Sequence, residues 1–589
     1  MCGINVIYKP KLISEKHISI IGNMNSEMEY RGPDAQEIWS DASVIFGHVR
    51  LSIIGVDNGG QPLFSENQEL ALICNGEIYN YIELKEELSK EGAVFKTESD
   101  CEVILFLYQK YGLDFVNHLR GMFALVLWDR FNNKLIVARD RMGKKPLYFA
   151  KGEDGIVLSS EIKSITKFFF KKFTYNKLEI TNALKYSYPL SEDKTIINEV
   201  EKVKPGELII FENDSIERKK YWKLENKVSK SNSIDFKNGT YELLKESVAI
   251  RLRSDVPVAI LLSSGIDSTT VAALAKESRE EVHAITIGYK CQGLNDERQL
   301  AKRFAKEKGI IYHEVELDQQ DFKKYFEEYT ATIDEPVCDI AAIAQWGIYK
   351  KAKELGFKVL LSGIGGDELF YGYPLHSKLG EAWTTNEGLK QFFPIHSWKG
   401  VVAFTKYVIQ NKKQLNYHYK NSIESLFMIY SFEKFKSFSS GLNGNNFQLE
   451  DVEMRFKDFK GNGTEKMYAY FLNEWLINNC FYQTDKLAMG NSVEVRAPFA
   501  DHKLIEYVMS IPFELKYNAT NPKYFLKEIM KNDLPDYILN MPKKGFSPPM
   551  DYIDEIVEDY KSTFFKTKLF DYNQVLTDKI LTKHSEFKK

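Results

Sequence analysis

Cys2 directly follows the initiating methionine, and a small second residue is the usual condition for methionine removal. Cleavage would place a thiol and a free α-amine on one residue. Such an amine titrates at about 7.7–8.0, so Cys2 could carry both nucleophile and general base. Arg50 in HVRLSII, the NGEIYN turn at 75–80 and the ESDCE segment at 98–102 add a cation, an amide and carboxylates. That set complements a free amino acid, with its one carboxylate and one ammonium. The Asn75-Gly76 turn offers a side-chain amide and a backbone N–H to a developing oxyanion. A second set lies in SSGIDST (263–269), between an apolar run and a helical stretch. Its small residues admit a phosphate closely, and the helix start favours anions. No Lys follows, so it is not a GxxxxGK[ST] loop, and Asp267 there suits magnesium. A third, LLSGIGGDELFYGYP (360–374), places Asp367 and Glu368 in a Gly-rich turn beyond a strand end. Two such loops at neighbouring strand ends could hold magnesium between them.

The elements that must position these residues change along the chain. SVIFGHVRLSII (43–54), ELALIC (69–74), FALVLWD (123–129) and KLIVARD (134–140) read as short strands, with helices at 81–91 and after Ser99. This half is expected to be a layered α/β unit with mostly antiparallel sheets. Residues 223–239 are rich in Lys, Asn and Ser and make the best linker. Beyond them VPVAILL (256–262), VHAITIG (282–288), IIYHEVEL (310–317) and FKVLLSG (357–363) alternate with helical segments. Buried strands alternating with helices imply βαβ units and a parallel sheet. Residues 375–470 carry no readable motif and are expected to be helical. The division expected is 2–215, a linker at 223–239, and 240–589.

The 589 residues carry 79 Lys and Arg against 82 Asp and Glu, a formal net charge of −3. No basic excess is available for a phosphate backbone, so no nucleic-acid partner is expected. No apolar run reaches the length of a membrane span and no secretory signal is visible, so a cytoplasmic protein is expected. The six cysteines are scattered without a CxxC pair, which reads as reduced thiols.

MCGI, YRGPDA (30–35), HVRLSIIG, QPLF, NGEIYN, SDCEVI, RGMFALVLWD and ARDRMGKKPLYF resemble the class II, N-terminal-nucleophile glutamine amidotransferase domain. The resemblance implies an αββα fold in which Cys2 attacks the side-chain amide of glutamine and releases ammonia. It assigns Arg50 to the α-carboxylate, Glu77 and Asp100 to the α-amine, and Asn75 with Gly76 to the oxyanion hole. The second half resembles the synthetase domain of the asparagine synthetase B family, through both Gly-rich loops, DEPVCD (334–339), TDKLAMGNSVEVRAPFADHKLIEY (484–507) and MPKKGF (541–546). That implies an adenine nucleotide alpha hydrolase-like ATP pyrophosphatase. Leu262, Ser263, Ser264, Gly265, Asp267, Ser268, Ile287, Ser362 and Gly363 would line ATP. Asp267 and Asp367 would bind magnesium, and Lys543 would approach the phosphates or the acceptor. The substrates implied are glutamine, ATP and L-aspartate, with ammonia passing internally. The oligomeric state stays open, a homodimer included.

Two departures from the family pattern stand out, one at the phosphate loop and one that bears on the acceptor. Ser264 stands at the second Gly of the usual SGGLDS, a small change. Ile364 stands where asparagine synthetases commonly have an acid, and an apolar side chain accepts no proton. Another acceptor carboxylate, such as a uronic acid of a surface-polysaccharide pathway, is therefore the alternative.

Overall fold

The computed structural model describes residues 2–9, 13–153, 155–170, 172–186, 188–212, 215–225, 233–290, 297–337, 339, 341–374, 377, 459, 461–542 and 548–565. Twelve strands build the first half: β1 (Cys2–Tyr8), β2 (Ala35–Ser40), β3 (Val44–Arg50), β4 (Leu63–Phe64), β5 (Leu70–Ile78), β6 (Gly121–Asp129), β7 (Lys134–Arg139), β8 (Tyr148–Gly152), β9 (Gly155–Ser159), β10 (Glu201–Lys202), β11 (Glu207–Glu212) and β12 (Ser215–Lys220). They form two six-stranded antiparallel sheets, ordered β10-β8-β9-β1-β3-β2 and β12-β11-β7-β6-β5-β4.

The sheets stack face to face. Ile4, Val6 and Tyr8 of β1 share one buried core with Ala71 and Ile73 of β5 and Ala124, Val126 and Trp128 of β6. On the outer faces, Ile7 and Ile45 meet helices Glu15–Glu27 and Ile162–Phe168. Leu70, Leu72 and Cys74 meet helices Tyr81–Lys90 and Val103–Tyr111. Covering both faces of each sheet makes β1 and β5 buried at every residue, and their apolar runs near-continuous. The layers are thus α, β, β, α, as expected. The second sheet continues through β12, past residue 215.

The second half is built on five parallel strands: β13 (Val258–Leu261), β14 (His283–Tyr289), β15 (Ile311–Leu317), β16 (Val359–Leu361) and β17 (Glu494–Arg496), in the order β15-β14-β13-β16-β17. The chain steps outward from β13 through β15 and then returns to the other side of β13, which makes β13/β16 the topological switch point. Ligands bind beyond the strand ends there. Helix Ser233–Arg251 starts inside the stretch read as a linker. Phe236 is 1% exposed in the second half's core and Lys237 pairs with Glu528 at 3.0 Å, partners that the polar composition of 223–239 does not reveal. Most of 375–470 lies outside the described residues, and its described end is helical at Gly463–Tyr470.

Candidate active site

β1 begins at Cys2 and pairs with β3 so that Cys2 faces Arg50. Cys2 has the parity of Ile4 and Val6, and Asn75 and Glu77 that of Ala71 and Ile73, so all three belong to the inner faces of the sandwich. The Cys2 amide nitrogen donates to Asn75 Oδ1 at 3.2 Å. This leaves the buried Asn75 Nδ2 without a partner among the described residues, a donor held beside the thiol. Burial pushes the Cys2 thiol up to about 11, so a thiolate forms there only with a local base.

Asn75 and Gly76 do not form a turn, contrary to expectation. They lie within β5, opposite Ala124 and Phe123. A Cβ on Gly76 would meet Met122 O at 2.2 Å and Phe123 Cα at 2.6 Å. The glycine therefore serves close strand approach rather than chain reversal.

The Arg50 guanidinium is held by three carbonyls, of Gly55 at 2.5 Å, Val56 at 3.2 Å and Ile54 at 3.4 Å. It makes no ion pair among the described residues, so its charge is available. Glu77 and Asp100 are buried nearby. Asp100 Oδ2 accepts from Ile78 N at 2.6 Å, and Ser99 caps its short turn through Cys101 N. Burial, then the charges of Glu494 and Asp100, pushes the Glu77 carboxyl well up. The structure brings Cys2, Arg50, Asn75, Glu77 and Asp100 into one end of the sandwich.

At the switch point, β13 runs into a loop that folds on itself. Ser263 Oγ lies 2.9 Å from Ser268 Oγ and accepts from Gly265 N at 3.0 Å, and Ser264 N donates to Glu297 at 3.2 Å. Helix Ile266–Ser278 follows. The loop after β16 packs directly against it: a Cβ on Gly363 would sit 2.9 Å from Asp267 Cβ, and one on Gly366 2.6 Å from Asp267 Cγ. Ser362 Oγ accepts from Ile364 N at 3.1 Å. Leu262 follows β13 and Ile287 lies near the end of β14, with Thr286 Oγ1 donating to Leu262 O at 2.7 Å.

Asp267 and Asp367 converge as expected, and a residue the sequence did not single out lies between them. Lys523 Nζ contacts Asp267 and lies 2.7 Å from Asp367 Oδ1. Lys523 is buried, has φ +57° and precedes helix Tyr524–Met530. Two carboxylates closing on one cation show that this donor set fits a cation. Lys543 lies outside the described residues.

The two sites meet across a charged, buried interface. Arg31 Nε donates to Cys2 O at 3.3 Å, while its other nitrogens pair with Glu161 at 2.7 Å and Asp485 at 2.8 Å. Lys486 contacts Glu161 and pairs with Asp334 at 2.7 Å. Asp334 also accepts from Ile162 N at 2.8 Å, and burial pushes its carboxyl up to about 7. Beside this network is a cavity of about 20 Å³, lined by Lys144, Lys145, Ile364, Phe481, Thr484, Asp485, Val495 and Ala497. It spans the two halves and is large enough for one molecule the size of water or ammonia. Arg31, Glu161 and Asp485 were not foreseen because they are up to 454 residues apart.

An N-terminal thiol in an αββα sandwich, joined to a parallel sheet with paired acidic loops, is the architecture of a glutamine-hydrolysing, ATP-dependent ligase. The chain belongs to the asparagine synthase family: that model matches residues 239–584, and the glutamine amidotransferase domain model matches residues 1–222. Asparagine synthetase [glutamine-hydrolyzing] 1 of Bacillus subtilis is 32% identical, over 93% of this chain and 87% of its own. Asparagine synthetase [glutamine-hydrolyzing] 3 of the same organism is 29% identical over the same shares. Amidase chry2 of Gibberella zeae is 31% identical, over 88% of this chain and 83% of its own. The family uses ATP. No helix among the described residues is long and apolar enough to cross a membrane.

Proposed function

We propose that the protein is a glutamine-dependent asparagine synthetase with L-aspartate as acceptor. In the first site the Cys2 thiol attacks the side-chain carbonyl of glutamine, its proton passing through the α-amine to the leaving nitrogen. Ammonia departs, and water then cleaves the thioester to glutamate. Arg50 would hold the substrate's α-carboxylate, Glu77 and Asp100 its α-ammonium, and Asn75 Nδ2 with Gly76 N–H the oxyanion. In the second site the acceptor carboxylate attacks the α-phosphorus of ATP and pyrophosphate leaves. Ammonia displaces AMP from the acyl-adenylate, giving the amide. Leu262, Ser263, Ser264, Gly265, Ser268, Ile287, Ser362 and Gly363 would line the nucleotide. Asp267 and Asp367 would hold magnesium, which offsets phosphate charge when bound.

The observation that carries the joint reading is the cavity, whose wall combines Asp485, the partner of Arg31 beside Cys2, with Ile364 of the second loop. The acceptor assignment draws on the asparagine synthetase relatives. Ile364 and the amidase relative favour a second reading, in which the same chemistry amidates another carboxylate such as a uronic acid.

The test is ATP-dependent pyrophosphate release with ammonium chloride as nitrogen source, with and without L-aspartate. Stimulation by aspartate with asparagine as product is expected. Absence of stimulation, in protein that still hydrolyses glutamine, would overturn the aspartate assignment in favour of the second reading.

A further inference from the structure

The carboxylates assigned to the glutamine α-ammonium do not stand alone. β17, from the other half of the chain, brings Glu494 and Arg496 against them. Arg496 is fully buried, and its guanidinium fork reaches four groups, although Nη2 makes no hydrogen bond among the described residues. Nε pairs with Glu494 at 2.5 Å, Nη1 donates to Arg251 O at 2.8 Å and Arg253 O at 2.6 Å, and Nη2 lies 3.3 Å from Glu77 Oε2. The backbone is pinned as firmly, since Arg496 O accepts from Ser362 N of the nucleotide loop at 2.9 Å and β17 pairs with β16.

Three buried carboxylates (Glu77, Asp100 and Glu494) thus face one guanidinium. Tyr79, Tyr81, Lys85, Cys101 and Lys145 are further ionisable groups close to them, and Arg251 lies over the Tyr79 ring. This surplus of negative charge is the complement of a substrate ammonium. Arg496 opposes the burial and the like charges that push the Glu77 carboxyl up, and without it the carboxyl would swing away from its neighbours or stay neutral, neither of which binds an ammonium.

We propose that Arg496 is a positioning residue of the glutamine site, supplied by the synthetase half: its guanidinium fixes the Glu77 carboxyl in place and aims it at the substrate α-ammonium. The proposal rests on the reading in which Glu77 takes that ammonium. It makes the glutamine site incomplete without the second half, and it places Arg496 between Glu77 and the loop that carries Ser362. Lysine would keep the charge but has a single donor centre and cannot serve four partners at once.

The experiment follows glutamine hydrolysis by the full chain, without ATP or acceptor, in wild type and Arg496→Lys. Glutaramate, which is glutamine without its α-amino group, serves as a competitive inhibitor. The expected result is a rise of about tenfold or more in the KM for glutamine, the loss of one charge-assisted contact, with kcat little changed. The Ki of glutaramate should stay within about twofold, because that molecule offers Glu77 nothing to bind. The KM defect should deepen from pH 8 to pH 6.5 as the less restrained carboxylates take up protons. Equal losses for glutamine and glutaramate, or no loss for either, would overturn the proposal. A wild-type enzyme that binds both equally well would instead remove the Glu77 reading beneath it. Should Arg496→Lys fail to fold, Glu77→Asp keeps every charge, withdraws the carboxylate from the guanidinium, and makes the same selective prediction.

Discussion

Lys144 shows what burial does to one charge. It lies in the wall of the inter-domain cavity, its Nζ donates to Ala500 O at 2.7 Å, and it makes no ion pair among the described residues. Burial, with Arg251 nearby, lowers its pKa to about 7. The amine is therefore neutral when folded and protonated when unfolded over the range between that value and the ordinary 10.5. The unfolded chain binds the extra proton, so the cost to stability is complete below about pH 7 and fades as pH rises toward 10.5. Lys144→Met removes the cost. Its Tm should exceed that of wild type most at pH 7, with the gap shrinking by on the order of 1 kcal/mol per pH unit above it. Thermal melts at pH 7, 8 and 9 check this, and a constant gap would contradict it. The neighbouring Lys145, with Asp485 at 3.6 Å, has the counter-ion that Lys144 lacks.

At the scale of elements, strand pairing sets the site. β5 can bring Asn75 and Glu77 toward Cys2 only because Gly76 lets β6 come close. Gly76→Ala would drive a methyl group into the Met122 carbonyl and the Phe123 backbone. An overpacked site of this kind costs about 1–3 kcal/mol. The expected outcome is a lower urea midpoint together with a loss of glutamine hydrolysis larger than the stability loss explains, because Asn75 moves with the strand. Ammonia-dependent pyrophosphate release should persist, since the parallel sheet is untouched. The strands and helices themselves were legible: the alternating and continuous apolar runs correspond to β3, β5, β6, β7 and β13–β16, and Ser99 caps where its position before DCEV indicated. The Asn-Gly pair was read as a turn because that dipeptide favours one locally. The long ladder between β5 and β6 overrides the local preference.

At the scale of the whole molecule, the two halves are locked by charges with no access to water. Arg31, Glu161, Lys486, Asp334 and Asp485 pair across the interface, with Arg31 also touching the Cys2 backbone. Asp485→Asn leaves Arg31 and Lys145 short of a counter-charge, and a buried pair broken from one side costs about 3–5 kcal/mol. Glutamine hydrolysis should continue while more ammonia escapes, so glutamate formed per AMP should rise above the wild-type ratio. An unchanged ratio would show that the network seals nothing.

The sequence by itself determined the elements and the layered class of each half, because periodicity and glycine placement act over a few residues. Chemical type and the family resemblance together also marked Cys2, Arg50, Asn75, Glu77, Asp100, Asp267 and Asp367 as candidates. Only the tertiary structure decided that Lys523 bridges two loops, that Arg31 reaches from Cys2 to Asp485, and that Arg496 guards Glu77. Those pairings join residues hundreds of positions apart, and their energy depends on shared burial, which no local pattern records.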